Sequence, residues 1–168
     1  MRNQLSFLAV LTLACNTSEE KPAGEEVCEG DQFVGDAATQ DALADCTRVS
    51  GNLVLTGNEL VHVELSKLSH VDGNFSVWGN PSLIDLKLSG LVRVGGYFLI
   101  EANDRLTSLD FPMLASVNER AVMHRADFSI TGNPQLPTCQ AHALRDQLQA
   151  HDFAGSVLIG ENLGNCSE

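Results

Sequence analysis

One phrase recurs along the chain and restricts its fold more than any other feature. It reads "CTRVSGNLVLTGN" from Cys46, "VDGNFSVWGNP" from Val71, "VGGYFLIEAND" from Val94 and "ADFSITGNP" from Ala126. The apolar triplets align as Leu53-Val54-Leu55, Phe75-Ser76-Val77, Phe98-Leu99-Ile100 and Phe128-Ser129-Ile130, at steps of 22, 23 and 30 residues. An Asn follows each one: Asn58, Asn80, Asn103 and Asn133. A second pattern then runs Leu60, Val63, Leu65, Leu68, Val71. It repeats as Leu83, Leu86, Leu88, Leu91, Val94 and as Leu106, Leu109, Phe111, Leu114, Val117, and a fourth unit starts at Leu136 and diverges at Cys139. A period in this range with apolar residues at fixed phase marks a solenoid. Each unit has too little apolar surface to fold alone, whereas stacked units bury a continuous column.

Alternation within each triplet points one set of side chains inward and the other outward. Leu53 and Leu55 face in, Val54 faces out, and Phe75, Phe98 and Phe128 should stack in successive coils. Gly and Asn tolerate the backbone of a tight corner. Repeated at one phase, the four Asn should form a ladder with neighbours about 4.8 Å apart. Outward positions fall into two columns, Asn52, Asn74, Tyr97, Asp127 and Thr56, Trp78, Glu101, Thr131. In the second pattern Glu64, Lys87 and Asp110 share one phase, with the Lys between two acids.

These residues resemble the receptor L domain. "CTRVSGNLVLTGN", "LTSLDFPMLASV" and "GNPQL" carry the likeness, over about residues 28–139. The resemblance implies a short right-handed β-helix, as in the ectodomains of insulin-receptor and epidermal-growth-factor-receptor types and in many secreted bacterial proteins. It also implies an N-terminal bridge closing the helix end. Ligand residues of the animal receptors do not carry over, because no motif here matches them. The leucine-rich repeat is the close rival. The position it fills with Asn or Cys holds Leu68, Leu91 and Leu114 here, which favours the β-helix. The expected fold is therefore mainly β, with about four coils, helical or loop caps and two disulfides.

The first residues read as export machinery. "MRNQLSFLAVLTLAC" has a basic residue, an apolar run too short to span a bilayer, and then Cys15. Cys after "LTLA" resembles a bacterial lipoprotein cleavage site, although Thr12 stands where such sites carry Leu; the alternative is ordinary signal cleavage nearby. The expected organisation is a signal peptide over 1–14, a lipid-anchored acidic tether over 15–27 and a solenoid over 28–168. Within the solenoid the N-terminal cap covers 28–48, the coils 49–137 and a helix-and-strand cap 138–168. Cys28, Cys46, Cys139 and Cys166 allow three pairings. Two flank the start of the repeats and two follow their end, so spacing points to Cys28–Cys46 and Cys139–Cys166 in an oxidising compartment. A metal site competes poorly, because the chain has no C-x-x-C and no His pair at ligand spacing.

Chemistry is sparse. No phosphate loop, G-x-S-x-G or H-E-x-x-H occurs, and His62, His70, His124, His142 and His151 do not pair at helical spacing. No catalytic residues, metal ligands or cofactor are assigned. A net charge of -12 disfavours nucleic acid and anionic lipid headgroups as partners. Asn16, Asn74 and Asn165 head Asn-x-Ser triplets. The lone Trp78 and Tyr97 on adjacent outward positions suit partner or glycan binding. Arg120, His124 and Arg125 lie in an insertion between Val117 and Phe128 and form a second candidate binding loop.

The functional expectation is a monomeric, non-catalytic module of the cell envelope, lipid-anchored to the outer membrane or else secreted. It would present its surface to an envelope or extracellular protein or a glycan. An envelope-polysaccharide hydrolase on a β-helix scaffold is the alternative. Peptide mapping without reduction should recover Cys139 linked to Cys166 and a lipid on Cys15. A Cys28–Cys139 peptide would overturn the pairing, and a free mature terminus beyond Cys15 would overturn the anchor.

Overall fold

The computed structural model describes residues 24–117 and 126–164. The signal segment, Cys15, the loop residues Arg120, His124 and Arg125, and Cys166 lie outside the described residues. What is described is a mainly β solenoid of about four turns with three parallel sheets as its faces.

The six-stranded sheet stacks β2 (Gln32–Val34), β4 (Leu53–Leu55), β7 (Phe75–Trp78), β10 (Phe98–Glu101), β13 (Phe128–Thr131) and β14 (Val157–Gly160) in that order. The five-stranded sheet stacks β1 (Val27–Cys28), β3 (Arg48–Val49), β6 (His70–Val71), β9 (Arg93–Val94) and β12 (Ser116–Val117). The three-stranded sheet holds β5 (His62–Glu64), β8 (Asp85–Lys87) and β11 (Ser108–Asp110). Registers match the repeat phase: Leu53 pairs with Phe75, Phe75 with Phe98, and Phe98 with Phe128. Lys87 stands in register between Glu64 and Asp110, and one column over His62 Nδ1 lies 2.8 Å from Asp85 Oδ2.

The core is the inward columns. Phe75, Phe98 and Phe128 are fully buried and stack, with ring centroids 4.9 Å and then 5.3 Å apart. Phe111 from the second pattern meets Phe75 and Phe98 edge-on, at 5.9 and 5.3 Å. Offset stacks and edge contacts of this kind add to simple burial.

The Asn ladder exists but starts one coil later than the repeat phase predicts. Asn80 donates from Nδ2 to Asn103 Oδ1 (2.8 Å), Asn103 to Asn133 Oδ1 (3.0 Å) and Asn133 to Asn162 Oδ1 (3.1 Å). Each of the first three also donates to a carbonyl of the preceding coil, from Leu55, Val77 and Ile100, and is fully buried. Asn58 is exposed and takes no place in the ladder. The reason is length: Leu55 to Leu60 is one residue shorter than Val77 to Leu83. Gly57 therefore occupies the ladder position, and its N–H donates to Asn80 Oδ1 at 2.8 Å. A Cβ at Gly57 would collide with the Gly35 carbonyl of the rung below. The true last member is Asn162, in "LIGENL", on the rung added by β14.

The residue before each ladder Asn is left-handed: Gly79, Ala102, Gly132 and Glu161, with φ of 63°, 55°, 65° and 53°. This conformation turns the Asn amide back onto the carbonyl two residues earlier, of Trp78, Glu101 and Thr131.

Both ends are closed by helices. α1 (Ala37–Asp41) is capped by Asp36, whose Oδ1 accepts from Thr39 N–H at 2.8 Å and from the Thr39 hydroxyl; these bonds hold the Asp36 carboxyl below its usual range. The Cys28–Cys46 disulfide ties the first rung to the residues after this helix. The N-terminal cap is more regular than expected, since β2 is itself a rung, and ordered structure begins before residue 28. Val27 pairs with Arg48, and Thr47 N–H donates to the Glu26 carbonyl.

α2 (Thr138–Gln149) buries Ala141, Leu144 and Leu148 on one face. Its N-cap is Pro137, which supplies no side-chain cap bond. Thr138 is already helical, and its N–H and hydroxyl both donate to the Leu163 carbonyl instead. Cys139 is disulfide-bonded, to a partner outside the described residues. Two Gln side chains of α2 bond backbone groups at the free edge of β11 and just beyond it. Gln140 accepts from Leu109 N–H (2.9 Å) and donates to the Thr107 carbonyl (3.0 Å). Gln147 donates to the carbonyls of Phe111 (3.0 Å) and Leu114 (2.7 Å).

Two substitutions test this account. Phe98→Ala removes the central ring of the stack and should destabilise by about 3–5 kcal/mol. An unchanged melting temperature would mean the inward phase is misassigned. Ala102→Gly should act in the opposite sense. A non-Gly left-handed residue is strained by about 1–2 kcal/mol, which exceeds the roughly 0.5–1 kcal/mol entropic cost of Gly, so a small rise in stability is expected by denaturant titration. A fall would show that the corner is not left-handed in solution.

Candidate functional site: the outer face of the six-stranded sheet

Strand alternation gives this face three columns, not two. The first runs Asp31, Asn52, Asn74, Tyr97, Asp127, Ser156, one residue before the start of each strand pairing. The middle column runs Phe33, Val54, Ser76, Leu99, Ser129, Leu158. The third holds Thr56, Trp78, Glu101 and Thr131, with Glu101 in register between Trp78 and Thr131.

The first column is a second hydrogen-bonded ladder. Asn52 donates from its N–H (2.8 Å) and Nδ2 (2.9 Å) to Asp31 Oδ1. Asn74 does the same to Asn52 Oδ1, at 2.8 Å for both bonds. Tyr97 N–H then donates to Asn74 Oδ1 (3.1 Å). Asn52 and Asn74 are thus structural as well as surface residues. The Asn-x-Ser triplet at Asn74 is a poor acceptor for a glycan, because its amide nitrogen is held in the ladder. Asn16 and Asn165 lie outside the described residues.

Asp127 departs from the sequence expectation. It is 7% exposed and does not belong to an open patch. The β14 rung, which the repeat phase alone does not include, places Ser156 over it. Ser156 N–H (2.8 Å) and hydroxyl (2.7 Å) both donate to Asp127 Oδ2.

Trp78 is the last residue of β7, on the outward phase, and is 50% exposed. Tyr97 is half-buried, and burial raises its phenol above the ordinary value. Thr56 and Thr131 are half-buried and Glu101 is exposed. Sequence reasoning missed Phe33, which is 64% exposed on the first rung. The signal was present. "QFVG" precedes the first recognised strand by one coil length, and Val34 is buried one rung before Leu55. Phe33 was hidden because residues 28–48 read as cap.

Shallow crevices lie under the two caps, one lined by Gln40, Leu60 and His62, the other by Phe111, Gln140 and Gln147. Among the described residues no group of three or more His, Cys, Asp or Glu is placed to hold a metal ion. Among them, too, no helix is long and apolar enough to cross a membrane.

No family model matches the chain. It is similar to the cell surface GPI-anchored protein ECM33 of Candida albicans, with 22% identity over 126 residues. The match covers 74% of this chain and 30% of that protein, so the chain spans less than a third of the length of the relative. The similarity and the solenoid together fit a receptor-L-like fold and a surface protein.

Proposed function

We propose that this chain is a non-catalytic, exported surface module that presents the outer face of its six-stranded sheet to a partner. The observation that carries the reading is Trp78, a half-exposed indole fixed on a rigid stacked sheet. A large exposed aromatic loses little conformational freedom on binding when its backbone is held on both sides, and such residues dominate interface energetics. The cell-surface relative supports export. Attachment through a lipid on Cys15 is the form of anchoring proposed, with simple secretion as the other outcome.

Capture experiments with the full chain test this. Substituting Trp78→Ala and Tyr97→Ala together should weaken capture of a partner from envelope or surface extract by roughly thirtyfold, the effect of losing one interface anchor worth at least ~2 kcal/mol. Circular dichroism first establishes that the doubly substituted protein is folded. If it then binds as tightly as the parent, the sheet face is not the site, and the loop bearing Arg120, His124 and Arg125 becomes the candidate.

A further inference from the structure

We infer that this face binds a neutral polysaccharide strand lying across the rungs, an inference that rests on the surface-module reading above. Three features of the face set its chemistry. The first is charge. Two carboxylates are exposed on this face, Asp31 on the first rung and Glu101 on β10, while Asp127 is buried, and no Lys, Arg or His stands in its three columns. The other two faces carry outward cations, Arg48 and Arg93 two rungs apart on one, and Lys87 between Glu64 and Asp110 on the other. The face therefore repels an anionic polymer, offers an acidic partner no counter-charge and imposes neither penalty on a neutral one.

The second feature is the arrangement of apolar groups. Phe33 and Trp78 stand two rungs apart, roughly 10 Å along the stack, and one pleat repeat apart along the strand. Val54 lies between them in the column of Phe33. The result is an oblique row of flat apolar surface with an exposed aromatic at each end, on which the C–H faces of successive sugar rings can stack.

The third is the donor row beside it. An Asn amide has two N–H donors. Asn52 and Asn74 each use one on the neighbouring ladder residue, which fixes the amide plane, and neither Nδ2 makes a second bond among the described residues. The Thr56 hydroxyl flanks the row on its other side. Fixed amide donors and hydroxyls beside an aromatic row that carries no cation match the hydroxyl groups of a neutral sugar polymer.

The chain has one Trp, so its intrinsic fluorescence reports from the proposed site alone. Cellohexaose, laminarihexaose, chitohexaose and mannohexaose are titrated separately into the full chain. The expected result is a saturable blue shift with at least one of them, with an affinity that does not change between low and high salt. Phe33→Ala should weaken that affinity by at least about tenfold at unchanged melting temperature, because Phe33 is largely exposed and outside the core. Absence of a saturable shift with all four at millimolar concentration overturns the inference. So does binding that Phe33→Ala leaves intact, or binding lost at moderate salt. Trp78-dependent capture of an envelope protein combined with no response to the oligosaccharides removes the polysaccharide inference and leaves the surface-module reading standing.

Discussion

Everything in this molecule depends on one coil answering the hydrogen-bonding groups of the next. A strand has no internal pairing. Its N–H and C=O groups point up and down the stack, and a buried group left unpaired costs about 1–3 kcal/mol. Along straight strands the parallel ladders meet the demand. At corners the backbone turns away from register, and Asn80, Asn103 and Asn133 take over. Each accepts at Oδ1 from the backbone of the coil before it and donates from Nδ2 to carbonyls that the turn would orphan. The apolar columns can be continuous only because these corners are closed.

The same demand governs the ends. A terminal rung exposes a template for further pairing, which proteins usually blunt or cover. Here the three faces end at different heights, with six, five and three strands. The shortest face stops at β11 because α2 replaces the missing strand. The Gln140 amide gives Leu109 N–H and the Thr107 carbonyl the partners that a peptide group of another rung would supply. The helix thus covers the core with Ala141, Leu144 and Leu148 while two of its polar side chains finish the sheet.

Much of this was legible from spacing. Apolar phase identified the inward columns, and the Phe stack follows from Phe75, Phe98 and Phe128 sharing one phase with Phe111 close by. What spacing could not show was contact that breaks phase. Asn58 carries the repeat's own letters, yet a corner one residue short moves its side chain to solvent and puts Gly57 in its place. Asp127 looks outward in its own strand, and only the returning β14 covers it. Phe33 and Asn162 lay in segments whose letters had drifted from the repeat although their geometry had not. The candidate face was accordingly half legible: Trp78 and Tyr97 follow from alternation, Phe33 from a coil-length spacing hidden by drifted letters, and the Asp31–Asn52–Asn74 bonds only from the fold.

The Asn ladder also has a direction. Every Oδ1 faces the coil before it, and every Nδ2 reaches forward to the Oδ1 of the coil after it. A whole coil inserted anywhere would arrive with its own Asn and restore every bond on both sides, whereas one residue added or removed at a corner displaces a side chain from the column, as at Asn58. Change in length is therefore tolerated in whole turns. The architecture can grow or shrink by duplication and loss of coils without any redesign of its interior, so coil number is free to vary while the corner chemistry stays fixed.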